Sequence, residues 1–191
     1  MNRTALLTVL ACLLATSAVA EERKVVANRA DCAISVGPKD AAGLVLAMAD
    51  CTWPIAPAKV IAAVRAIEKH DDYLKSVSES TILADGRVLQ IHQASGISDR
   101  QITLSVTNKD LPDGGFKTSW TRAGTQEALR EDMVDAPVDD GSWEVHPDGA
   151  GSKVIYSLRY DAGGKVPNWL VQSFQKTGIA DIVEQMRAAA E

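Results

Sequence analysis

Segments in which apolar and polar residues alternate, separated by short polar turns, dominate the middle of this chain. Successive side chains of a β-strand point to opposite faces, so alternation with period two predicts strands buried on one face. The turns carry residues that favour tight reversals, as in Asp85-Gly86 and residues 161–164,. Strands joined so closely, with no helix between them, predict an antiparallel sheet of about seven strands. The predicted strands are residues 43–53, 77–83, 87–93, 100–108, 116–122, 143–146 and 153–160.

Two helical patterns bracket these strands. Pro57 is tolerated in the first turn of a helix, and apolar residues at helical spacing follow it up to Lys69-His70,. A longer helix is predicted from Val166 to about Ala190, with Leu170, Phe174 and Ile182 on one broad apolar side. A face that wide needs a wide partner, so this helix is predicted to lie across the sheet in an α+β fold. Residues 124–141 remain ambiguous between a short strand at 128–134 and a mobile loop.

The first twenty residues read as a secretory signal peptide. Arg3 supplies the basic start, an apolar run too short to span a bilayer follows, and small residues stand at Ala18 and Ala20,. We expect cleavage near Ala20, a single domain over residues 21–191, and a secreted or periplasmic location. The alternative is a lipoprotein signal in which Cys12 carries the lipid.

Export makes the cysteines informative. Once the signal is removed, Cys32 and Cys51 remain, in strand-like segments joined by the loop from Gly37 to Gly43. An even number of cysteines in an oxidising compartment predicts a disulfide between them. A symmetric hairpin would not place the two directly opposite, so we expect a bulge to correct the register. Two unpaired buried thiols are the alternative.

Alternation also places charged residues in rows of apolar ones. Arg100 shares a face with Ile102 and Leu104, and Glu79 is in phase with Val77. An unpaired charge in an apolar interior is costly, so the two should meet each other, water or a ligand. The pattern leaves three alternatives open: a structural ion pair, an arginine that reaches solvent, or a polar group at the bottom of an apolar cavity that could bind a ligand.

Short motifs along the chain resemble the START (StAR-related lipid transfer) domain of the helix-grip superfamily, which includes polyketide cyclases. The resemblance covers roughly residues 30–190, and its most specific stretch is YSLRYDAGGKVPNWLV between the last strand and the last helix. The motifs are Pro57-x-x-Val60, Tyr73-x-x-x-Val77-x-Glu79-Ser80, Ser98-Asp99-Arg100, Gly141-Ser142-Trp143-x-Val145-x-Pro147, and Tyr156 to Val171.

This resemblance implies a curved antiparallel sheet that grips the C-terminal helix, with a tunnel between them for a sterol, phospholipid or other apolar molecule. It also implies that the family's buried acidic–basic pair falls on Glu79 and Arg100. Gln101 departs from the acidic residue that often follows this arginine in the family, and the chain lacks the first helix of animal members. These departures leave the ligand class open.

The expected function is binding, with transfer as an extension, of a lipid or other apolar ligand in an internal cavity. Transient membrane contact fits this function, whereas the formal net charge of -5 does not favour nucleic acid,. We expect no metal and no cofactor. The candidate ligand-binding residues are Glu79, Arg100, Leu104, Trp120, Trp143, Tyr156, Leu158, Leu170, Phe174 and Ile182.

Two alternatives stand beside the carrier: a cavity-poor interaction or stress protein, and a cyclase-like enzyme using Arg100, Tyr156 or Tyr160. Nucleophile and phosphate-loop motifs are absent from the sequence, so the enzyme is the minor one,. The three histidines are isolated and are predicted to lie on the surface, and Trp169 is assigned to the core. The predicted gate is the segment 124–141 or the start of the last helix, hinged at Gly163-Gly164.

Overall fold

Ten strands form one sheet in the computed structural model, which describes residues 23–191. The predicted signal segment, residues 1–20, lies outside the described residues. The strands are β1 (Lys24–Arg29), β2 (Cys32–Lys39), β3 (Val45–Trp53), β4 (Val77–Ile82), β5 (Val88–His92), β6 (Arg100–Asp110), β7 (Phe116–Arg122), β8 (Val134–Asp135), β9 (Val138–Asp148) and β10 (Gly151–Asp161). The helices are α1 (Pro57–Arg65), α2 (His70–Tyr73), α3 (Asn168–Ser173) and α4 (Ile179–Ala190).

The sheet is antiparallel and curved, as predicted, but has ten strands rather than about seven. Its order is β1-β2-β3-β10-β9-β7-β6-β5-β4, and β8 adds a short parallel pairing with β6. The strand count was wrong partly because the apolar residues of the edge strand β1 (KVVANR) are consecutive and β8 has two residues, so neither shows a usable alternation. The two edge strands of the sheet are β1 and β4.

Helices cover one face of this sheet. A short 3₁₀ turn, Ile67–Lys69, joins α1 to α2, and a π-helical turn, Phe174–Gly178, joins α3 to α4, so residues 168–190 form one continuous helical segment. The inner side of α4 is fully buried at Val183 and Met186, and α4 packs on α1, β2 and β3. The predicted C-terminal helix across the sheet is therefore confirmed. Within residues 23–191 no helix is both long enough and apolar enough to cross a bilayer.

Cys32 and Cys51 form a disulfide that ties β2 to β3. The two residues are direct partners in the register of this strand pair, because an irregularity between Val36 and Lys39 shifts the pairing near the turn. The predicted bridge is present in the structure, and so is the bulge expected to align it.

A second bulge, between β4 and β5, changes which side chains of β4 point inward. Val77 pairs with His92 and Glu79 pairs with Ile91, so one extra β4 residue is inserted between the two pairs. Val77 and Ser80 are buried, whereas Glu79 is partly exposed. The bulge therefore places Glu79 on the face opposite to Val77.

The segment of residues 123–133, here called the outer loop, crosses the convex face of β6. Gln101 Nε2 donates to the carbonyl oxygen of Ala128 at 2.9 Å, and the backbone N–H of Glu127 donates to Thr103 Oγ1 at 3.0 Å. Gln101 and Thr103 alternate with Arg100 and Ile102, which face the helices. The ambiguous segment 124–141 is thus a loop anchored on the sheet up to residue 133, followed by the short strand β8 and the first residues of β9.

Candidate functional site

A cavity of about 470 Å³ lies between the concave face of the sheet and the helices. Its floor is aromatic: the ring of Tyr156 lies 4.3 Å from that of Trp143 and 6.3 Å from that of Trp120, centroid to centroid. On the helix side, Phe174 contacts the ring of Tyr160 at 5.9 Å and lines the same space. A cavity of this size falls within the range of about 300–1,000 Å³ that holds small ligands.

Eight of the ten candidate residues lie at the wall of this cavity. They are Arg100, Trp120, Trp143, Tyr156, Leu158, Leu170, Phe174 and Ile182. Leu104 is a fully buried core residue further along β6, paired with Val88 and Arg122, and is not part of the wall. Glu79 is not part of the wall either.

Glu79 and Arg100 do not form a pair. The Glu79 carboxylate accepts two hydrogen bonds from Arg130 of the outer loop, at 2.6 and 2.8 Å. This guanidinium lowers the pKa of Glu79 below its usual value. The expectation was wrong because it carried strict alternation through β4, whereas the bulge after Val77 turns Glu79 to the convex face.

Arg100 is buried at the wall without an acidic partner. Its Nε donates to the carbonyl oxygen of Ala162 at 3.1 Å, and its Nη1 donates to the carbonyl oxygen of Ser98. Among residues 23–191, no carboxylate oxygen of a described side chain lies within 4.0 Å of its guanidinium. Backbone carbonyls thus replace the acidic partner that the resemblance implied.

A directed chain of hydrogen bonds runs along the inner side of β5 and β4. The Tyr160 hydroxyl and His92 Nδ1 are 3.2 Å apart, and His92 Nε2 is 3.1 Å from Gln90 Oε1. Gln90 Nε2 then donates to Ser80 Oγ at 2.9 Å, and Ser80 Oγ donates to the carbonyl oxygen of Ile67 at 2.7 Å. Because Gln90 Oε1 can only accept, His92 carries its proton on Nε2 and accepts from Tyr160. Burial lowers the pKa of His92 to about 4, so the ring is neutral near pH 7.

Asp139 on β9 places a carboxyl group at the same end of the cavity. Its Oδ1 accepts the indole N–H of Trp120 at 2.7 Å, and its Oδ2 lies 3.8 Å from His92 Nε2. The residue is 3% exposed. Burial, opposed in part by the Trp120 hydrogen bond, raises the pKa of Asp139 to about 7.

His70, in α2, is a third polar group in the wall. It is buried, and its Nε2 has no hydrogen-bond partner. Burial, together with the nearby His92, lowers the pKa of His70 to about 4. A buried polar atom without a partner is uncommon in folded proteins and calls for an explanation, such as strain, a catalytic role or a bound water or ion.

Sequence reasoning placed all three histidines on the surface, which was wrong for His70 and His92. It took Leu89 and Ile91 as the inner face of β5, but those residues face the outer loop, and Gln90 and His92 face the cavity. Both faces of β5 are covered, so its pattern of burial does not alternate. His146 alone lies near the surface, between the carboxylates of Asp113 and Glu144.

Two further expectations are corrected. Trp169, assigned to the core, is 67% exposed. Of the segment 124–141 predicted as a gate, residues 124–133 belong to the outer loop on the convex face, whereas the part in β8 and β9 places Asp139 at the cavity wall. The start of the last helix does border the cavity, through Val166, Leu170 and Val171.

At Gly163, whose φ is +63°, a Cβ would lie 2.4 Å from the carbonyl oxygen of Asp135, so this bend requires glycine,. In residues 23–191, no three His, Cys, Asp or Glu side chains are grouped as metal ligands.

Comparison of sequences gives little. No protein-family model matches the chain. An uncharacterized protein of Pseudomonas aeruginosa is 26% identical over 96 residues, half of this chain. The match spans about half the length of that relative.

Comparison of structures assigns the fold. The chain resembles a STAR-related lipid transfer protein from Xanthomonas axonopodis (TM-score 0.76, 20% identity, 88% of this chain and 98% of that one). It also resembles human StAR-related lipid transfer protein 5 (TM-score 0.79, 14% identity, 88% and 86%). A more distant similarity is to the Zhui aromatase/cyclase from a Streptomyces species (TM-score 0.52, 13% identity, 76% and 93%). The chain therefore has the START-type helix-grip fold, as its motifs predicted.

Proposed function

We propose that this chain binds one lipid-like, mainly apolar molecule in the cavity between the sheet and the C-terminal helix. The observation that carries the proposal is the cavity itself, about 470 Å³ with an aromatic floor and an apolar helix wall. Removing apolar surface from water contributes about 25 cal/mol per Å², so covering roughly 300 Å² of a ligand contributes on the order of 7 kcal/mol before the costs of association. The eight wall residues among the candidates are the expected contacts.

Transfer of the ligand to or from a membrane extends this proposal. Trp169 and Val171 are 67% and 41% exposed, and they flank Leu170, which lines the cavity. Tryptophan is favoured at the boundary between lipid and water. This apolar rim supports a transient contact with a bilayer where the ligand enters.

Export to an oxidising compartment is part of the same proposal. The predicted signal peptide and the Cys32–Cys51 disulfide support it independently, since stable disulfides belong to secreted and periplasmic proteins,. Cell fractionation, with sequencing of the mature N-terminus, tests it. The expected mature chain begins at Glu21, and full-length protein in the cytoplasm would contradict the proposal.

Binding is tested by filling the cavity from β3. Ala47 lines the cavity, whereas its neighbour Leu46 is on the other face and is 39% exposed. We expect Ala47→Phe to weaken binding of an apolar fluorescent dye by at least about tenfold at a cost of less than about 1 kcal/mol, because the added ring occupies empty space. Leu46→Phe should leave dye binding unchanged.

Solvent extraction of protein purified from its native host, followed by mass spectrometry, tests for the natural ligand. We expect a stoichiometric apolar molecule in wild type and a reduced yield from Ala47→Phe. Absence of both a bound molecule and dye binding would contradict the proposal and favour an interaction module.

A second candidate is a cyclase-type enzyme. One observation favours it: a buried carboxyl with a pKa of about 7, as Asp139 has, is poised to exchange a proton near neutral pH,. Turnover of a polyketide-like substrate that Asp139→Asn abolishes, while substrate still binds, would favour the enzyme over the carrier.

A further inference from the structure

One carboxyl oxygen in the cavity wall lacks a hydrogen-bond donor. Asp139 Oδ1 accepts the Trp120 indole N–H, but Oδ2 is 3.8 Å from His92 Nε2, beyond hydrogen-bonding distance,. Among the described residues, no other donor reaches this oxygen. The residue is 3% exposed and lines the cavity, so this oxygen is open to the cavity, where a partner from outside the chain would stabilise it,.

The neighbouring histidine cannot supply that donor. Its Nε2 proton is directed to Gln90 Oε1, and Gln90 is in turn held by Ser80 through the buried hydrogen-bond chain. Turning the His92 ring toward Asp139 would break its bonds to Gln90 and Tyr160 together. The chain of bonds therefore keeps the His92 proton away from Asp139 Oδ2, and this acceptor faces the cavity.

Other charged or titratable groups also face the cavity. Arg100 is the nearest rival for a ligand's polar end, because its positive charge has no acidic partner within 4.0 Å among the described side chains. Its Nε and Nη1 are occupied by backbone carbonyls, which leaves Nη2 as the part of this guanidinium without an acceptor among the described residues. The titratable and charged residues that line the cavity with Asp139 are His70, Lys75, His92, Arg100, Tyr156, Tyr160, Asp161 and Asp181.

We propose that Asp139 Oδ2 accepts a hydrogen bond from a ligand hydroxyl, so that the cavity selects apolar molecules ending in an alcohol. This inference rests on the proposed function, since it names the polar end of the ligand bound there. A hydroxyl both donates and accepts, so it satisfies this site whether Asp139 is ionised or protonated. A carboxylate end group is repelled by ionised Asp139, and an ether offers no proton to it.

Matched probes isolate this hydrogen bond. The assay is displacement of the apolar dye at pH 8, where Asp139 is mostly ionised because its pKa is about 7. The first comparison is 1-dodecanol against dodecyl methyl ether and dodecanoate, and the second is cholesterol against cholesteryl methyl ether. We expect each alcohol that binds to do so about tenfold or more tightly than its ether, as for a buried hydrogen bond to a charged group. The pair that binds distinguishes a chain alcohol from a ring alcohol.

Asp139→Asn is the matched variant. Asparagine keeps an acceptor for Trp120 but turns an N–H₂ group toward the ligand, and that group donates equally to an alcohol and to an ether. We expect the alcohol-to-ether ratio to fall to about one, and the dodecanoate affinity to rise relative to dodecanol. Asp140→Asn removes the same charge from the next position of β9, where the side chain bonds Arg159, and should change the ratios far less, because its charge is the smallest of the causes that act on the pKa of Asp139.

The outcomes separate the two proposals. Equal affinity for alcohol and ether in wild type, or tighter binding of dodecanoate than of dodecanol, would overturn the hydroxyl inference while leaving the apolar cavity in place. Failure of the dye and of every probe to bind would overturn both. The comparison of alcohol with ether on wild-type protein needs no variant, so it decides the question even if Asp139→Asn does not fold.

Discussion

The convex and concave faces of the sheet around β5 and β6 differ in how completely their polar groups are hydrogen-bonded. On the convex face, polar side chains and backbone groups of β6 and the outer loop pair with each other: Gln101 Oε1 accepts the N–H of Arg130 at 3.1 Å, and Gln126 Oε1 of the loop accepts the N–H of Thr103 at 2.8 Å. On the concave face, buried polar groups remain incompletely paired. His70 Nε2 has no partner, and Asp139 Oδ2 has no donor within hydrogen-bonding distance in the described part of the chain.

Under the proposed function, this difference separates a face that contributes stability from a face that contacts the ligand. Satisfied side chain–backbone bonds hold a loop in one position, whereas unsatisfied groups around an empty space lower stability until something fills it. Sites that sacrifice stability in this way are commonly functional. The comparison makes quantitative predictions for each face.

The largest effect is expected at Asp139. Its pKa is raised from the ordinary value of 3.8 to about 7, so the folded chain holds a proton that the unfolded chain releases between those values. The stabilisation of the folded state by this proton is therefore complete below about pH 4 and is lost as the pH rises through about 7. The free energy of unfolding is then lower by on the order of 4 kcal/mol at pH 8. Asp139→Asn should then be more stable than wild type by roughly that order at pH 8, with little difference at pH 4.

Urea unfolding at the two pH values measures this effect. Asp140→Asn is the control and should show a much smaller pH-dependent gain, since Asp140 is 40% exposed beside Arg159 and its charge is the smallest of the causes that act on the pKa of Asp139. A variant that is equally or less stable at pH 8 would show that Asp139 is not held in an unfavourable charged state, and the contrast between the faces would lose its strongest support.

A smaller effect of opposite sign is expected on the convex face. Gln101→Ala removes the partners of the Ala128 carbonyl and the Arg130 N–H, and should destabilise the chain by about 2 kcal/mol at any pH between 5 and 8,. Gln93→Ala, which removes an exposed bond to the Lys75 carbonyl, should cost less than about 0.5 kcal/mol,. Similar losses in both variants would mean that the outer loop contributes no more than a surface contact.

The smallest effect concerns the Glu79–Arg130 pair. Its members are 35% and 43% exposed, so Arg130→Ala should cost less than about 1 kcal/mol in thermal unfolding, and less still in high salt,. A buried pair broken on one side would cost about 3–5 kcal/mol. A loss in that larger range would place Glu79 in the interior after all.

Much of the fold follows from local pattern. Alternation predicted the strands around residues 100–108 and 116–122, and helical spacing predicted the long C-terminal helix; both periodicities report on the chain's own geometry. Eight of ten candidate residues reached the cavity wall because they share these phases. Glu79 did not, since the sequence carries no sign of the bulge that shifts its phase,.

Asp139, His92 and His70 had no comparable signal. His92 lies on β5, a strand that is covered on both faces. The residue types of such a strand do not indicate which face the outer loop covers and which face borders the cavity. Asp139 lies in a segment that reads as a loop, and only its pairing in β9 beside β7 brings it to Trp120.

By itself, the sequence determined an antiparallel sheet and a covering helix, because each follows from spacings of a few residues, and it favoured the Cys32–Cys51 pair because two cysteines remain after the predicted signal peptide. Only the tertiary structure decided which side of β5 borders the cavity, where Glu79 points, and that Asp139 and His92 meet. Those outcomes depend on which distant segment covers each face, and a period-two pattern records that a side chain is buried without recording what lies over it.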